Sequence, residues 1–172
     1  VTASDGTNSS TQAITVSVTD VDDVAPVFTS SATFSAAENQ TAIGSVTATD
    51  ADSGDSVTFT VSGSELSITS AGVLTFATAP DYETKTSYTA TVIASDGTNT
   101  TTQSITVNVT DVNDNSPAFT SNATFSAAEN QTSIGTVIAT DDDIDDSVTF
   151  TVSGSELSIT SAGVLTFATA PD

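Results

Sequence analysis

The sequence repeats itself at a spacing that decides its domain organisation. Residues 5–81 align with residues 96–172 without an insertion or deletion, so that Glu38 corresponds to Glu129, 91 positions later. This period is too long for a solenoid repeat or a propeller blade, and it suits an independent β-sandwich domain of about 100 residues. The chain is therefore expected to be a stretch of a tandem array of such domains.

Proline marks the boundaries between the repeats. Pro26 and Pro117 each follow a polar run, and because proline cannot donate to a strand ladder, a strand is expected to end before it. The sequence predicts three segments: the C-terminal strands of a preceding repeat at 1–24, a complete repeat at 25–115 and the N-terminal strands of a following repeat at 116–172.

Short runs in which apolar residues alternate with threonine or serine fill the repeats. Val57, Phe59 and Val61 form one such run, and residues 105–109 form another. This alternation is the period of a half-buried strand, and no segment has a convincing helical period. With Gly and Asp turn signals between the runs, the pattern predicts an all-β fold of tandem seven-stranded Greek-key β-sandwiches, similar to immunoglobulin domains.

The charge of the chain is strongly one-sided. There are 22 acidic residues against a single basic residue, Lys85, which gives a formal net charge of −21. Contacts to phosphates need clustered Lys and Arg, so a nucleic-acid partner is excluded, and cations are expected instead. No apolar run approaches the roughly 18 residues of a membrane span, so this segment is expected to make no membrane contact. On composition alone, adaptation to high salt is an equal alternative.

The residue types that most enzymes depend on are missing. The sequence has no His and no Cys, which removes the usual general base, the thiol nucleophile and zinc chemistry. Paired carboxylates also serve glycosidases, but the chain lacks Trp and has only two Tyr to form an aromatic platform. The sequence therefore predicts a protein that is not an enzyme.

The acidic residues are clustered where strands are expected to end. Residues 111–115 read Asp-Val-Asn-Asp-Asn at a boundary between repeats, residues 141–143 read Asp-Asp-Asp, and residues 81–83 read Asp-Tyr-Glu. Calcium takes six to eight oxygen ligands from carboxylates, Asn amides and backbone carbonyls. One Asp pair in a turn is usually local hydrogen bonding, so the calcium interpretation depends on the combination.

Taken in order, these motifs resemble the cadherin repeat along the whole chain. The matching residues are Ala-Glu-Asn at 37–39, Asp-Ala-Asp at 50–52, Asp-Tyr-Glu at 81–83, Ala-Ser-Asp-Gly at 94–97 and Asp-Val-Asn-Asp-Asn-Ser-Pro-Ala-Phe at 111–119. The absence of Cys, the Thr-rich strands and the near identity of neighbouring repeats are most similar to the repeats of large bacterial surface adhesins.

The resemblance implies calcium ligands at the joint around residues 111–117, which we name the second joint. The family binds calcium there through the upper repeat, the linker and the lower repeat, and this stiffens the array. Carried over, the ligands are the side chains of Glu38, Asp81, Glu83, Asn113, Asp114, Asp141 and Asp143 and the carbonyls of Val112 and Asn115.

The resemblance implies a less complete site at the joint around residues 20–26, which we name the first joint. Here Asp22 and Val24 stand where the family has Asn. The implied ligands are Asp22, Asp23, Asp50, Asp52 and Asp96. Of the 22 acidic residues, 14 fall on motif positions, and this clustering favours calcium binding over an acidic coat adapted to salt.

The sequence therefore predicts a non-catalytic calcium-binding adhesion or spacer module of a repetitive extracellular protein, at the cell surface or secreted. Its expected partners are neighbouring repeats, and beyond them identical chains, another cell-surface protein or a glycan. An alternative is a filament subunit. Residues 1–23 offer the last two strands of a sandwich and residues 117–172 the first five, so either this stretch is cut out of phase with the repeats or one chain completes the next by strand addition.

Overall fold

The computed structural model describes residues 1–144 and 146–172, and it confirms the prediction of an all-β fold. In the described residues, no strand pairing joins the three stretches of chain at 2–11, 27–110 and 118–167, which hold all of the strands. They are β1 Thr2–Ser4, β2 Ser9–Thr11, β3 Val27–Phe28, β4 Thr33–Ala37, β5 Ala42–Ser45, β6 Ala48–Thr49, β7 Thr58–Val61, β8 Leu66–Ile68, β9 Val73–Phe76, β10 Ser87–Ser95, β11 Thr100–Thr110, β12 Ala118–Phe119, β13 Ser133–Thr136, β14 Ala139–Thr140, β15 Leu157–Ile159 and β16 Val164–Phe167.

One layer of the central repeat is the sheet β4-β11-β10-β7. The long strands β10 and β11 form an antiparallel hairpin in which Ser95 pairs with Thr100. The edge strand β4 runs parallel to β11, and its last residue, Ala37, pairs with Thr110. Because the two strands end side by side, the residues that follow each of them emerge at the same end of the sandwich.

The second layer is made of β5-β9-β8 and the short pair β3-β6. Side chains from both layers fill the space between them, as in a β-sandwich. The core residues that are less than a tenth exposed are Ala36, Val46, Phe59, Leu66, Leu74, Phe76, Val92, Ala94, Ile105, Val107 and Val109. The sandwich prediction is confirmed by this packing.

The number of strands in the central repeat differs from the predicted seven, because the structure contains nine strand segments between β3 and β11. Residues 29–32 interrupt the ladder between β3 and β4, and residues 46–47 interrupt it between β5 and β6. Each interruption lets the chain change its partner. β3 pairs with β6, whereas β4 pairs with β11, so consecutive segments belong to different sheets.

The segment 116–172 forms only part of the same layers. β12 pairs with β14, and β13-β16-β15 repeats the arrangement of β5-β9-β8. Residues 124–128 and 149–152, the counterparts of β4 and β7, form no strands. In the central repeat the corresponding strands are paired, β4 with β11 and β7 with β10.

Candidate metal centre

Glu38 is the buried carboxylate of the second joint. It directly follows β4, and the residue is only 3% exposed. Its Oε2 accepts a hydrogen bond from the Tyr82 N–H at 2.7 Å, and its Oε1 accepts one from the Val112 N–H at 2.9 Å. One carboxylate therefore ties together the end of β4, the loop before β10 and the linker after β11.

Two further carboxylates lie beside Glu38. Oxygen atoms of Glu38, Glu83 and Asp111 lie within 4.8 Å of one another. The Oδ2 atom of Asp111 accepts a hydrogen bond from the Ile144 N–H at 2.7 Å, whereas its Oδ1 atom is buried without a hydrogen-bond partner. Three carboxylates at this distance repel one another unless a cation lies among them.

Asp143 anchors the linker to the following repeat. It is 6% exposed, and its Oδ2 accepts hydrogen bonds from the N–H groups of Asp114 and Asn115 at 3.1 and 2.9 Å. The side-chain amide of Asn115 donates to its Oδ1 at 2.9 Å. This side-chain hydrogen bond, followed by those from the backbone, lowers the pKa of Asp143. The carboxylate is thus held ionised at the centre of the joint.

The carboxylates of the second joint form a continuous string. Oxygen atoms of Glu83, Asp114 and Asp143 lie within 4.8 Å of one another, and so do those of Asp141, Asp143 and Asp146. Glu83 is shared with the group around Glu38, and Asp143 joins the two lower groups. The string runs from the end of the central repeat, through the linker, into the following repeat.

The chain supplies no cationic side chain to this string. Its one basic residue, Lys85, forms an ion pair with Glu65 and lies 4.2 Å from the centre of the Tyr88 ring. Asn113 is hydrogen-bonded to Asp146 through its amide nitrogen, which leaves the amide oxygen available to a cation. Neutralisation of the string therefore has to come from solution.

The first joint repeats the linker contacts of the second. Asp52 takes the place of Asp143, and its Oδ2 accepts hydrogen bonds from the Asp23 and Val24 N–H groups at 2.9 and 2.8 Å. Oxygen atoms of Asp22, Asp52 and Asp55 lie within 4.8 Å of one another.

Two unpartnered oxygen atoms lie at the lower side of the first joint. The Oδ2 atoms of Asp50 and Asp96 are buried without a hydrogen-bond partner. Asn99, in the same turn as Asp96, donates from its side-chain amide to Asp22 at 2.9 Å. The first joint therefore combines grouped carboxylates with buried oxygen atoms that lack a proton donor.

Seven of the residues implied by the resemblance lie in these carboxylate groups: Glu38, Glu83, Asp114, Asp141 and Asp143 at the second joint, and Asp22 and Asp52 at the first. Four other carboxylates, Asp23, Asp50, Asp81 and Asp96, lie outside the groups in the described residues.

Asp81 accepts the Thr84 N–H at 3.1 Å and so stabilises the turn before β10. Val112 and Asn115 engage their N–H groups in the joint, and a role for their carbonyls stays a prediction.

Sequence reasoning missed three members of the groups: Asp55, Asp111 and Asp146. Asp111 opens the Asp-Val-Asn-Asp-Asn motif, so the motif already contained it. Asp55 and Asp146 are separated by the 91-residue period, and each lies three positions after the anchoring aspartate of its joint. An acidic residue repeated at equivalent positions beside a recognised ligand was the signal that could have found them.

The crowding of carboxylates shifts pKa values. A hydrogen bond from its own backbone lowers the pKa of Glu83. Desolvation and the negative charges of Glu38, Asp111 and Asp143 outweigh this bond, so the pKa is raised overall. At the first joint, desolvation raises the pKa of Asp55, and four neighbouring aspartates add to the shift. Both groups therefore resist ionisation when no cation is bound.

We expect the metal-free protein to lose stability as the pH rises from about 4.5 toward neutrality. A carboxyl group with a raised folded pKa stabilises the fold fully below its ordinary pKa, which is 4.5 for Glu83, and loses that contribution as the pH rises through the raised value. Melting temperatures of calcium-stripped protein measured across this range test the expectation. Glu83→Gln should flatten the profile, and a melting temperature that climbs with pH would contradict it.

Across residues 1–144 and 146–172, the structure contains no helix long and apolar enough to cross a bilayer. Neither a protein-family model nor a curated protein matches the sequence.

Solved structures of cadherin repeats are similar to the chain. Protocadherin gamma B2 extracellular cadherin domains 3–6 match with 27% identity and a TM-score of 0.75, over 95% of this chain and 47% of that one. Mouse cadherin-23 EC22–24 matches with 26% identity and a TM-score of 0.68, over 90% and 56%. Protocadherin gammaB7 EC3–6, solved as a cis-dimer, matches with 28% identity and a TM-score of 0.79, over 95% and 48%.

These similarities support a cadherin-like tandem repeat with the β-sandwich fold of an extracellular adhesion-type module. The chain spans about half the length of the first two of these structures, 47% and 56%. The narrower similarity to bacterial surface adhesins stays a prediction.

Proposed function

We propose that the chain is a non-catalytic, extracellular spacer or adhesion module in which calcium at the joints holds successive repeats in a fixed arrangement. The observation that carries this proposal is the string of seven carboxylates at the second joint, which runs across the linker without a cationic side chain. Its members are Glu38, Glu83, Asp111, Asp114, Asp141, Asp143 and Asp146.

The ligand atoms suit calcium better than other common metals. Carboxylate, amide and carbonyl oxygens are hard ligands, and calcium accepts six to eight of them in irregular geometry. Zinc and copper favour His and Cys, which the chain lacks. The buried oxygen atoms without hydrogen-bond partners, Oδ1 of Asp111 and Oδ2 of Asp50 and Asp96, support the same choice, because a bound cation would satisfy them.

Stiffening follows from where the ligands lie. Glu38 and Glu83 belong to the central repeat, Asp111 and Asp114 to the linker, and Asp143 to the following repeat. An ion bound by all three parts opposes bending of the linker, whereas without it repulsion between the carboxylates favours separation of the parts. A rigid array of this kind suits a protein that holds an adhesive surface away from a cell. Its partners would be neighbouring repeats, identical chains or another surface protein or glycan.

Removal of calcium is expected to lower the melting temperature substantially. Each ion that binds only the folded protein stabilises it by about 2.7 kcal/mol at a hundredfold excess over its Kd. For a repeat of this size, 1 kcal/mol corresponds to roughly 4–8 °C, so one ion would raise the melting temperature by roughly 10–20 °C. The measurement is calorimetric unfolding at pH 7.5 in calcium and in EGTA.

The control separates calcium binding from adaptation to high salt. Sodium chloride at equal ionic strength screens all carboxylates, whereas specific sites respond to calcium at much lower concentrations. A melting temperature that EGTA leaves unchanged at moderate salt, or that sodium raises as effectively as calcium, would overturn the calcium assignment.

A further inference from the structure

Asn39 connects the end of β4 to the linker of the second joint. It directly follows Glu38, and its side-chain amide donates a hydrogen bond to the Oδ2 atom of Asp114, 75 positions later. An ionised carboxylate only accepts hydrogen bonds, so the nitrogen of the amide has to face it. Asp114 in turn belongs to the carboxylate group with Glu83 and Asp143. Asn39 therefore contacts one of the proposed calcium ligands through a hydrogen bond.

The backbone of Asn39 has a conformation that few residue types adopt. Its φ angle is 61°, in the left-handed region where glycine and asparagine are favoured. Its N–H donates to the Pro80 carbonyl at 3.0 Å. Asn130, the counterpart of Asn39, has the same φ angle and the same backbone bond, to the Pro171 carbonyl at 2.8 Å. The turn therefore recurs in both repeats and does not depend on the contact with Asp114.

Glu38 and Asn39 tie the same two segments to the end of β4. The carboxylate of Glu38 accepts N–H groups from the loop at residues 80–83 and from the linker at residues 111–115. Asn39 bonds to the same loop through its backbone and to the same linker through its side chain. Two consecutive residues thus fix the positions of the segments that carry Glu83 and Asp114.

Asp114 is held on both of its carboxylate oxygen atoms. Oδ2 accepts the amide of Asn39, and Oδ1 accepts the amide of Asn115 at 3.0 Å. Its own N–H donates to Asp143 at 3.1 Å. Each carboxylate oxygen has a second lone pair that stays available to a cation. The linker is therefore tied to the central repeat through Asn39 and to the following repeat through Asp143 without any metal.

We propose that Asn39 is a positioning residue of the second joint, whose amide holds the Asp114 carboxylate in the orientation that binds the cation. A hydrogen-bond donor behind a metal ligand fixes the orientation of that ligand, and its loss typically weakens metal binding by about 10- to 100-fold. The amide also offsets part of the repulsion between Asp114 and the neighbouring carboxylates. The effect on metal binding rests on the proposed calcium function, whereas the contact with Asp114 does not.

Asn39→Gly separates positioning from backbone conformation. Glycine adopts a positive φ angle without strain, so this variant keeps the turn and removes the amide. Terbium alone is the probe, because it is a hard cation that takes the same kind of oxygen ligands as calcium. Tyrosine sensitises its emission, and both tyrosines, Tyr82 and Tyr88, lie at the second-joint end of the central repeat. The midpoint of the terbium titration should rise by about 10-fold.

Luminescence lifetimes in H₂O and D₂O count the water molecules on the bound terbium. Asn39→Gly should add about one water, because water takes the place of a displaced carboxylate oxygen. A role in the turn alone predicts no change, since glycine preserves the turn. A titration midpoint and a water count that both equal those of the parent chain would overturn the positioning role.

A second substitution tests whether Asn39 acts through Asp114. In the Asp114→Ala background, Asn39→Gly should not shift the terbium midpoint further, because the ligand that the amide positions is gone. An equal shift in both backgrounds would contradict the proposal. Asn130→Gly is the matched control, with the same φ angle and the same backbone bond. It should leave the midpoint unchanged, and a shift as large as that of Asn39→Gly would also contradict the proposal.

Asn39→Asp tests the contact without any metal. The aspartate has the shape of asparagine but places a carboxylate oxygen against Oδ2 of Asp114. In EGTA at pH 7.5 its melting temperature should be lower than that of Asn39→Gly by roughly 5 °C, because like charges repel. Sodium chloride should reduce this difference by screening. Equal melting temperatures of the two variants at low salt would show that the side chain does not contact Asp114.

The outcomes distinguish this inference from the proposed function. A parent chain that binds neither calcium nor terbium overturns the calcium assignment and the positioning role together, while melting in EGTA still decides the contact between Asn39 and Asp114. If Asn39→Gly binds terbium as tightly as the parent chain, with the same water count, the positioning role alone fails and the calcium assignment stands.

Discussion

Glu38→Gln is expected to abolish most of the stabilisation that calcium gives the second joint. Glu38 is 3% exposed and belongs to the carboxylate group with Glu83 and Asp111. The amide removes one negative charge and one ligand oxygen. The increase of about 3 kcal/mol that one bound ion adds to the free energy of unfolding should therefore largely disappear. Without calcium, Glu38→Gln should lower the free energy of unfolding by about 1 kcal/mol. The reason is that the new amide NH₂ group faces one of the two backbone N–H donors that the Glu38 carboxylate accepts.

The measurement for Glu38→Gln is a melting temperature with and without calcium, and the quantity of interest is the difference between the two. Glu129→Gln is the matched control. It has the same Ala-Glu-Asn setting but is exposed and lies outside the carboxylate groups of the described residues. Its calcium-induced rise should equal that of the parent chain. If Glu38→Gln lowers both melting temperatures equally, the role of Glu38 is structural and not that of a ligand.

Gly72→Ala is expected to destabilise the central repeat by about 4 kcal/mol, which is roughly 15 °C or more in melting temperature. A Cβ atom at Gly72 would lie 2.2 Å from the Val46 carbonyl oxygen and 3.3 Å from the Phe59 ring. The backbone cannot move away easily, because the Val46 N–H donates to the Gly72 carbonyl at 2.8 Å and the Gly72 N–H donates to Thr69 at 2.9 Å. The φ angle of 88° adds strain for any residue with a side chain.

Gly63→Ala separates the two causes of this loss. Gly63 has a similar φ angle of 82°, but a Cβ atom there meets no other atom within 4 Å. Only the strain of the left-handed conformation applies, so a loss of about 1 kcal/mol is expected. Thermal unfolding of the two variants in calcium gives the comparison, and equal losses would show that the contact with Val46 is unimportant.

The anchoring carboxylates could be predicted from the sequence because short-range chemistry determines them. Asp52 and Asp143 lie in turns directly after short strands, where Asp is favoured, and each accepts N–H groups of a linker 28 to 29 residues earlier. Their identical roles follow from the 91-residue period. The resemblance to a known repeat provided the pairing with Glu38 that turn chemistry alone could not.

The orientation of side chains within the joints could not be predicted in the same way. Asp81 and Glu83 both belong to the Asp-Tyr-Glu motif, yet Glu83 joins two carboxylate groups while Asp81 stabilises a turn. Asp111 meets Glu38 because β4 and β11 end side by side in a parallel pair. Such a pairing joins residues more than 70 positions apart, and no local pattern encodes it.

The sequence by itself determined the all-β class, the repeat and the set of oxygen ligands, because alternation, period and residue type are local properties that survive in any arrangement of the strands. Only the tertiary structure decided which carboxylates meet. Asp111 reaches Glu38 across the parallel pair of β4 and β11, and Glu83 joins two carboxylate groups whereas Asp81 stabilises a turn. Such contacts depend on which strands pair, and a residue's own neighbours in sequence do not contain that information.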